Sequence, residues 1–288
     1  MKNLKNIFML AALVCSFLTA FAQQNENSLL WKVEGNGIKT SYVFGTFHML
    51  PKKDFELKGK VTNALQNSEI LVLELDMDDP KMQTEMMQLS ALTDGKTLSE
   101  FMDAEEYTLI DTYLKEKMGM GLDNFKTFKP LLVSTMVMMG YLGKDMASYE
   151  ASLIKLTKEQ QKEVKGLETV AFQMGIFDEQ PYEQQLDDII KLLKEETIMK
   201  DMFTEMITLY KNENIDGLYD YMDDFFNGDK AQLERMLHNR NQNWIPKMGE
   251  YSKEQTVFYG VGAGHLGGKL GVINLLRAAG YTVTPVLK

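Results

Sequence analysis

Three histidines stand in 288 residues, and two of them share one setting. His48 lies in "YVFGTFHML" (42–50) and His265 in "FYGVGAGHLGG" (258–268), each as Gly-x-x-His after an apolar, β-rich run. Gly45, Gly262 and Gly264 let the backbone turn sharply or approach a ligand closely. An imidazole at such a tip is placed to coordinate a metal or to carry a proton. Glu74 ends a third apolar run, "ILVLELD" (70–76). Two imidazoles and a carboxylate suffice to hold a first-row divalent ion with positions left open for water or substrate. Without metal the same trio can do general acid–base work. The bland alternative is that each residue only buttresses the sheet, or, for Glu74, ends in water at a strand terminus.

Parallel strands would bring these residues together, because the loops at their C-terminal ends line the ligand crevice. "SLLWKVEG" and "TSYVFGTF" read as two strands joined by "NG", a hairpin signal. "KGKVTNALQN" has helical spacing and leads into the buried strand "EILVLELD", giving strand, helix, strand with the two strands parallel. Direct pairing of the strands before His48 and Glu74 would put their tips about 5 Å apart. From Pro80 to about Glu250 the periodicity is helical. Asp103 and Glu106 form a capping box there, Gly119 closes the same helix, and "KEVKGLE" (162–168) reads as a brief return to strand. The end is α/β again: "QTVFYGVGAGH" is a strand into a glycine-rich turn, "KLGVINLLRAAG" a helix and "YTVTPVL" a strand. The expected fold is therefore α/β, a central mixed β-sheet from the N- and C-terminal segments with a large helical insertion at about 80–250. It is read as a single domain over 23–288.

Residues 1–22 read as a signal peptide: Lys2 and Lys5, an apolar core, then "AFA" with cleavage after Ala22. The apolar run is too short for a comfortable membrane span. An exported chain follows, periplasmic or secreted, with no stable span in its mature part. Cys15, the only cysteine, would leave with the leader, which excludes disulfides and thiolate chemistry. A formal net charge of −10 and a pI near 5 argue against nucleic acid. "DMDDP" (76–80) lacks the glycine and glutamate of an EF-hand loop, and the 21 methionines are better read as core packing than as a copper site. Gly-x-Ser-x-Gly, phosphate-loop and His-Glu-x-x-His motifs are all missing.

"SYVFGTFHML", "LVLELDMDDP", "KGLETVAFQMGIFD", "HNRNQNW" and "YGVGAGHLGGKLGVINLLRAAGYTV" follow one another in the order found in the TraB/GumN family. The chain resembles that family over about residues 28–286, with the last motif the most specific. The family includes the Tiki proteins, which are membrane-tethered metal-dependent proteases. The resemblance implies that His48 and His265 are its paired histidines and that Glu74 is its acid after the buried strand. It further implies that Glu168 in "GLET" is a second recurring glutamate, and Arg240 with Asn241 a recurring Arg-Asn pair. Near "MASYEASL" the family often has Asp where this chain has Ser148. No Tiki-like anchor is visible, so a tethered role does not carry over.

The leading expectation is an exported metal-dependent hydrolase, a Tiki-like peptidase. His48, Glu74 and His265 would hold Mn, Co or Zn, with a peptide or small molecule as substrate. Glu168 would serve as acid–base or extra ligand, and Arg240 with Asn241 would clamp an oxyanion or substrate carboxylate. Taken on their own, Glu168 reads as a first-turn helix carboxylate and Arg240 as a solvated or paired arginine. His238 is expected nearby or on the surface rather than as a ligand. The rival is a non-catalytic exported binder of a metal or haem-like ligand, or a partner protein in polysaccharide or signalling-peptide handling. Nothing in the sequence fixes the oligomeric state.

Overall fold

The computed structural model describes residues 27–226 and 228–288. The leader read at 1–22 lies outside the described residues. Among the described residues there are eight strands: β1 (Leu30–Glu34), β2 (Ser41–Thr46), β3 (Leu50–Pro51), β4 (Ile70–Leu73), β5 (Met146–Ala147), β6 (Glu163–Gly166), β7 (Val257–Gly262) and β8 (Thr282–Pro285). Six of them form one sheet in the order β6-β4-β7-β2-β1-β8. The first four in that order are parallel, while β1 pairs antiparallel with both β2 and β8. The sheet is thus mixed and drawn from both ends of the chain, with the helical segment inserted between, as expected.

One expectation is corrected. The strands leading to His48 and Glu74 do not pair directly, because β7 lies between them and pairs with both. Burial alone does not choose between them, since five of six residues are buried in both β2 and β7 and all four in β4; the packing of the whole sheet puts β7 in the middle. β7 brings its own histidine turn with it. All three strand ends that carry the chemistry are therefore neighbours, and His265 follows the central one.

The hairpin of β1 and β2 forms as read. Its connection is longer than two residues, with Gly35, Asn36 and Gly37 all at positive φ (85°, 48° and 76°). Asp103 caps its helix through Glu105 and Glu106, and Gly119 ends it at φ 75°. The brief strand at 162–168 is β6. It doubles as the sheet edge that delivers Glu168, since Leu167 and Glu168 continue the pairing by donating to Leu73 O and Glu74 O at 2.8 Å each. The small sheet of β3 and β5 was not anticipated, because two-residue strands carry no period to read.

The main core is built on the six-stranded sheet around Val43, Leu71, Phe258, Tyr259 and Trp244. Each such side chain contributes about 1.5–3 kcal/mol on burial. A second apolar cluster, including Ile110, Leu114, Val133, Val137 and Leu186, sits within the helical segment. No helix among the described residues is long and apolar enough to cross a membrane.

Candidate active site

The carboxyl edge of the parallel strands gathers six of the residues singled out from the sequence. Glu74 directly follows β4, Glu168 lies just beyond β6, and His48 stands two residues after β2. His265 ends a 3-10 turn, Ala263–His265, that follows β7. Arg240 and Asn241 come from the opposite side, at the start of helix Asn239–Glu254, directly after a π-helical turn, Glu234–His238. Such turns re-aim side chains and are common at functional sites.

Arg240 is the hub. Its Nη2 donates to Glu74 Oε2 at 2.6 Å and to Glu168 Oε2 at 2.8 Å, and its Nε to Glu168 Oε1 at 3.0 Å. Nη1 donates to Met236 O at 3.1 Å and to His265 Nε2 at 3.2 Å. All five guanidinium protons thus have acceptors inside the protein. The substrate clamp expected of Arg240 has no donor left to act with in this arrangement; its guanidinium holds two carboxylates in place instead. Trp244, one turn further on, donates to Glu168 Oε1 at 2.9 Å. Gln173 bridges Glu74 and Glu168 at 3.2 and 3.0 Å.

Asn241 is wholly buried and faces His265, so it too is out of a substrate's reach. Its Nδ2 donates to Leu270 O at 2.8 Å, which turns its Oδ1 toward His265 Nδ1 at 2.6 Å. The His265 proton therefore resides on Nδ1, and Nε2 presents a lone pair. Burial first, then the neighbouring Arg240, push His265 down to about 3, so the ring is neutral at pH 7. Burial would raise Glu74, but Arg240, both histidines and the Gly262 N–H, 2.8 Å from Oε1, hold it at about 2.

His48 differs from His265. Its side chain is 65% exposed and its Nδ1 lies 2.8 Å from Oε1 of the buried Glu150. What burial the ring has opposes its charge; Glu150 first, then Glu74, outweigh it and raise His48 to about 9. Solvent around the ring screens this pair. Glu150 in turn is held low by His48 against the effect of its own burial. The folded-state pKa of His48 exceeds its unfolded value of about 6.5, so the pair's stabilisation is full below that pH and lost as pH rises through about 9. In a proton NMR titration His48 should titrate clearly above 6.5, and Glu150→Gln should return it to that value or below. An unshifted His48 in the parent would show that the pair does not form.

Glu150 and Trp244 escaped sequence reasoning. Glu150 sits in the first turn of helix Tyr149–Glu159, where a carboxylate normally serves the helix dipole in water. Ser148, where an acid was looked for, caps that helix on Ala151 N and donates to Glu150 Oε2 at 2.8 Å. The acid beside His48 thus stands two residues further on. Trp244 was signalled only by its one-turn spacing from Arg240 in "RNQNW". His238 stacks on Tyr219 and bonds its hydroxyl at 2.8 Å, with no bond to the cluster around Glu74.

The donors suit a divalent ion in type. Each histidine has Nδ1 bound to an oxygen, so Nε2 is the ligating atom, and Glu74 is ionised; an ion would displace the Nε2 proton of His48 and the Arg240 Nη1 donor from Nε2 of His265. They also surround a real space. A Cβ built on Gly262 would meet Glu74 Oε1 at 3.3 Å, His48 Nε2 at 3.5 Å and His265 Cδ2 at 3.5 Å. Spacing is looser than a formed cage: His265 Nε2 lies 3.9 Å from Glu74 Oε1, against ~3.4 Å between ligands on a tetrahedral ion. Among the described residues no three His, Cys, Asp or Glu side chains enclose an ion as placed.

The model of the TraB/PrgY/gumN family matches residues 29–285, nearly all of what is described above. The chain belongs to that family. Two zebrafish (Danio rerio) relatives, Metalloprotease TIKI2 and Metalloprotease TIKI1, are 22% and 21% identical to it, each match covering 91% of this chain. The matches take in 61% and 63% of those two proteins, so the chain spans about three-fifths of the relatives' length. No solved structure matches it.

Proposed function

We propose that this family member is an exported metal-dependent hydrolase, a peptidase of the Tiki type, with its site at the carboxyl edge of the sheet. One observation carries the reading: Glu74 Oε1 and two imidazoles with their Nδ1 atoms already committed surround the empty side-chain position of Gly262. The relatives' description as metalloproteases supports it.

His48 Nε2, Glu74 Oε1 and His265 Nε2 would hold the ion, and manganese, cobalt and zinc all suit that set. Once bound, such an ion polarises a carbonyl and supplies hydroxide at neutral pH. The remaining roles fall to the chain. Asn241 fixes the tautomer of His265, Glu150 orients His48, and Arg240 holds Glu74 and Glu168 against each other's charge. Glu168 has four donors on its two oxygens, two from Arg240 and one each from Trp244 and Gln173, which makes it a positioning residue in this arrangement.

The test is metal content and peptide turnover on one preparation, made without chelator or affinity metal. Near-stoichiometric Mn, Co or Zn, cleavage of a peptide library and loss of both in Glu74→Ala are expected. Retained metal with no turnover would favour the non-catalytic binder. No metal, and none taken up on titration, would end the metal-hydrolase reading.

A further inference from the structure

Four lysines converge on one groove of a chain whose formal net charge is −10. The groove, about 750 Å³, lies between the segment after β3 and helices Pro130–Leu142 and Glu196–Lys211. Lys53, Lys117, Lys200 and Lys211 line it, all exposed. Among its described lining residues the one acid is Asp54, already paired with Lys211 at 3.1 Å. Three ammonium groups are left unbalanced by any acid among the described lining residues. An apolar wall is present too: Phe203 stacks on Tyr141, with ring centroids 5.4 Å apart at 18°.

We propose that this groove receives an acidic stretch of the peptide substrate, outside the segment being cleaved; the proposal rests on the peptidase reading above. Position is the first argument. Pro51, at the groove's edge, belongs to β3 and lies three residues from His48. β3 pairs with β5, which runs directly into Ser148 and Glu150. The chain leaving the His48–Glu150 pair on one side thus becomes the groove's rim.

Chemistry is the second. The charges are all lysine, point charges on flexible stems, which attract carboxylates diffusely and lack the planar fork that reads phosphate in two bonds. The rest of the acidic surface repels an acidic chain, so the groove is where one is admitted and aligned. A smaller hollow of about 190 Å³ shares Lys53, Asp54 and Lys211 with the groove, but its further lysines, Lys58 and Lys60, are already paired with Glu213, so the acid-binding face ends at the groove.

The test is fluorescence anisotropy on the full chain with two labelled peptides of equal length, one rich in Asp and Glu, the other with Asn and Gln in their place. The acidic peptide should bind about tenfold more tightly at low salt, and the double substitution Lys53→Gln, Lys200→Gln should remove that preference. Both lysines are exposed, so circular dichroism should be unchanged; Lys117→Gln provides a second variant. Glu74→Gln should leave acidic-peptide binding intact. Equal binding of the two peptides, or a preference that survives the lysine substitutions, would overturn the proposal. So would a polyuronate oligosaccharide that binds more tightly than the acidic peptide, which would assign the groove to carbohydrate. Acidic-peptide binding with no cleavage of any peptide in the metal-loaded protein would refute the peptidase reading alone, while cleavage indifferent to acidic residues would refute the groove alone.

Discussion

Arg240→Met is expected to destabilise the protein by about 3–5 kcal/mol, because it leaves two buried carboxylates facing each other without a counter-charge. Glu74 and Glu168 are 12% and 3% exposed, and each accepts from the guanidinium. For a chain of this size the loss corresponds to a fall in Tm of about 10 °C. It has a pH signature. Glu74 is depressed to about 2 in the folded protein, so its contribution is present above the unfolded carboxylate range and lost as pH falls through about 2. The gap between parent and variant should therefore be widest above about pH 4.3 and close as acid is added. Neutralising the acids as well, in Arg240→Met with Glu74→Gln and Glu168→Gln, should recover much of the loss. A variant within about 0.5 kcal/mol of the parent in urea unfolding, as for an ordinary surface change, would mean that something other than Arg240 compensates the acids.

Gly262→Ala should do the reverse: keep the fold and remove the function. Gly262 has φ −52°, a value alanine adopts without strain, and the added methyl finds ordinary or slightly tight contacts at 3.3–3.5 Å. Those contacts are with the three side chains proposed to hold the ion. The methyl occupies the space they share, and a displacement near 1 Å at a reacting centre costs on the order of 100-fold in rate. Turnover and metal uptake should fall by that order while Tm moves by only a few degrees. Gly45→Ala is the control. Its Cβ would come within 2.8 Å of Leu266 Cδ1 and 3.1 Å of Ala263 Cα, so it should lose stability. Full activity in Gly262→Ala would exclude chemistry at the point where Glu74 and the histidines meet.

Much of this site was legible because strand ends are. Apolar runs that stop at Gly-x-x-His or at Glu announce both an element and what it presents, and "KEVKGLE" announced β6 and Glu168 in the same way. Strand order was not legible. β2, β4 and β7 are similarly apolar, and only the packing of the whole sheet decides that β7 takes the middle. Glu150 was hidden by a local role that any first-turn carboxylate can fill; its partner is 102 residues away. Arg240 was visible as a residue but not as a hub, since its acceptors are five atoms of four residues, Glu74, Glu168, Met236 and His265, spread along the chain. Gly45 was read with Gly262 as a turn or ligand-approach glycine, yet it makes room for the turn that carries His265.

The central place of β7 has a consequence for the life of the chain. The strand that joins the His48 side of the sheet to the Glu74 side follows both of them in sequence, after the whole helical segment. A chain broken anywhere before residue 257 lacks His265 and the backbone ladder between the strands that lead to His48 and Glu74. On the proposed reading, the site forms only when β7 takes its place in the sheet.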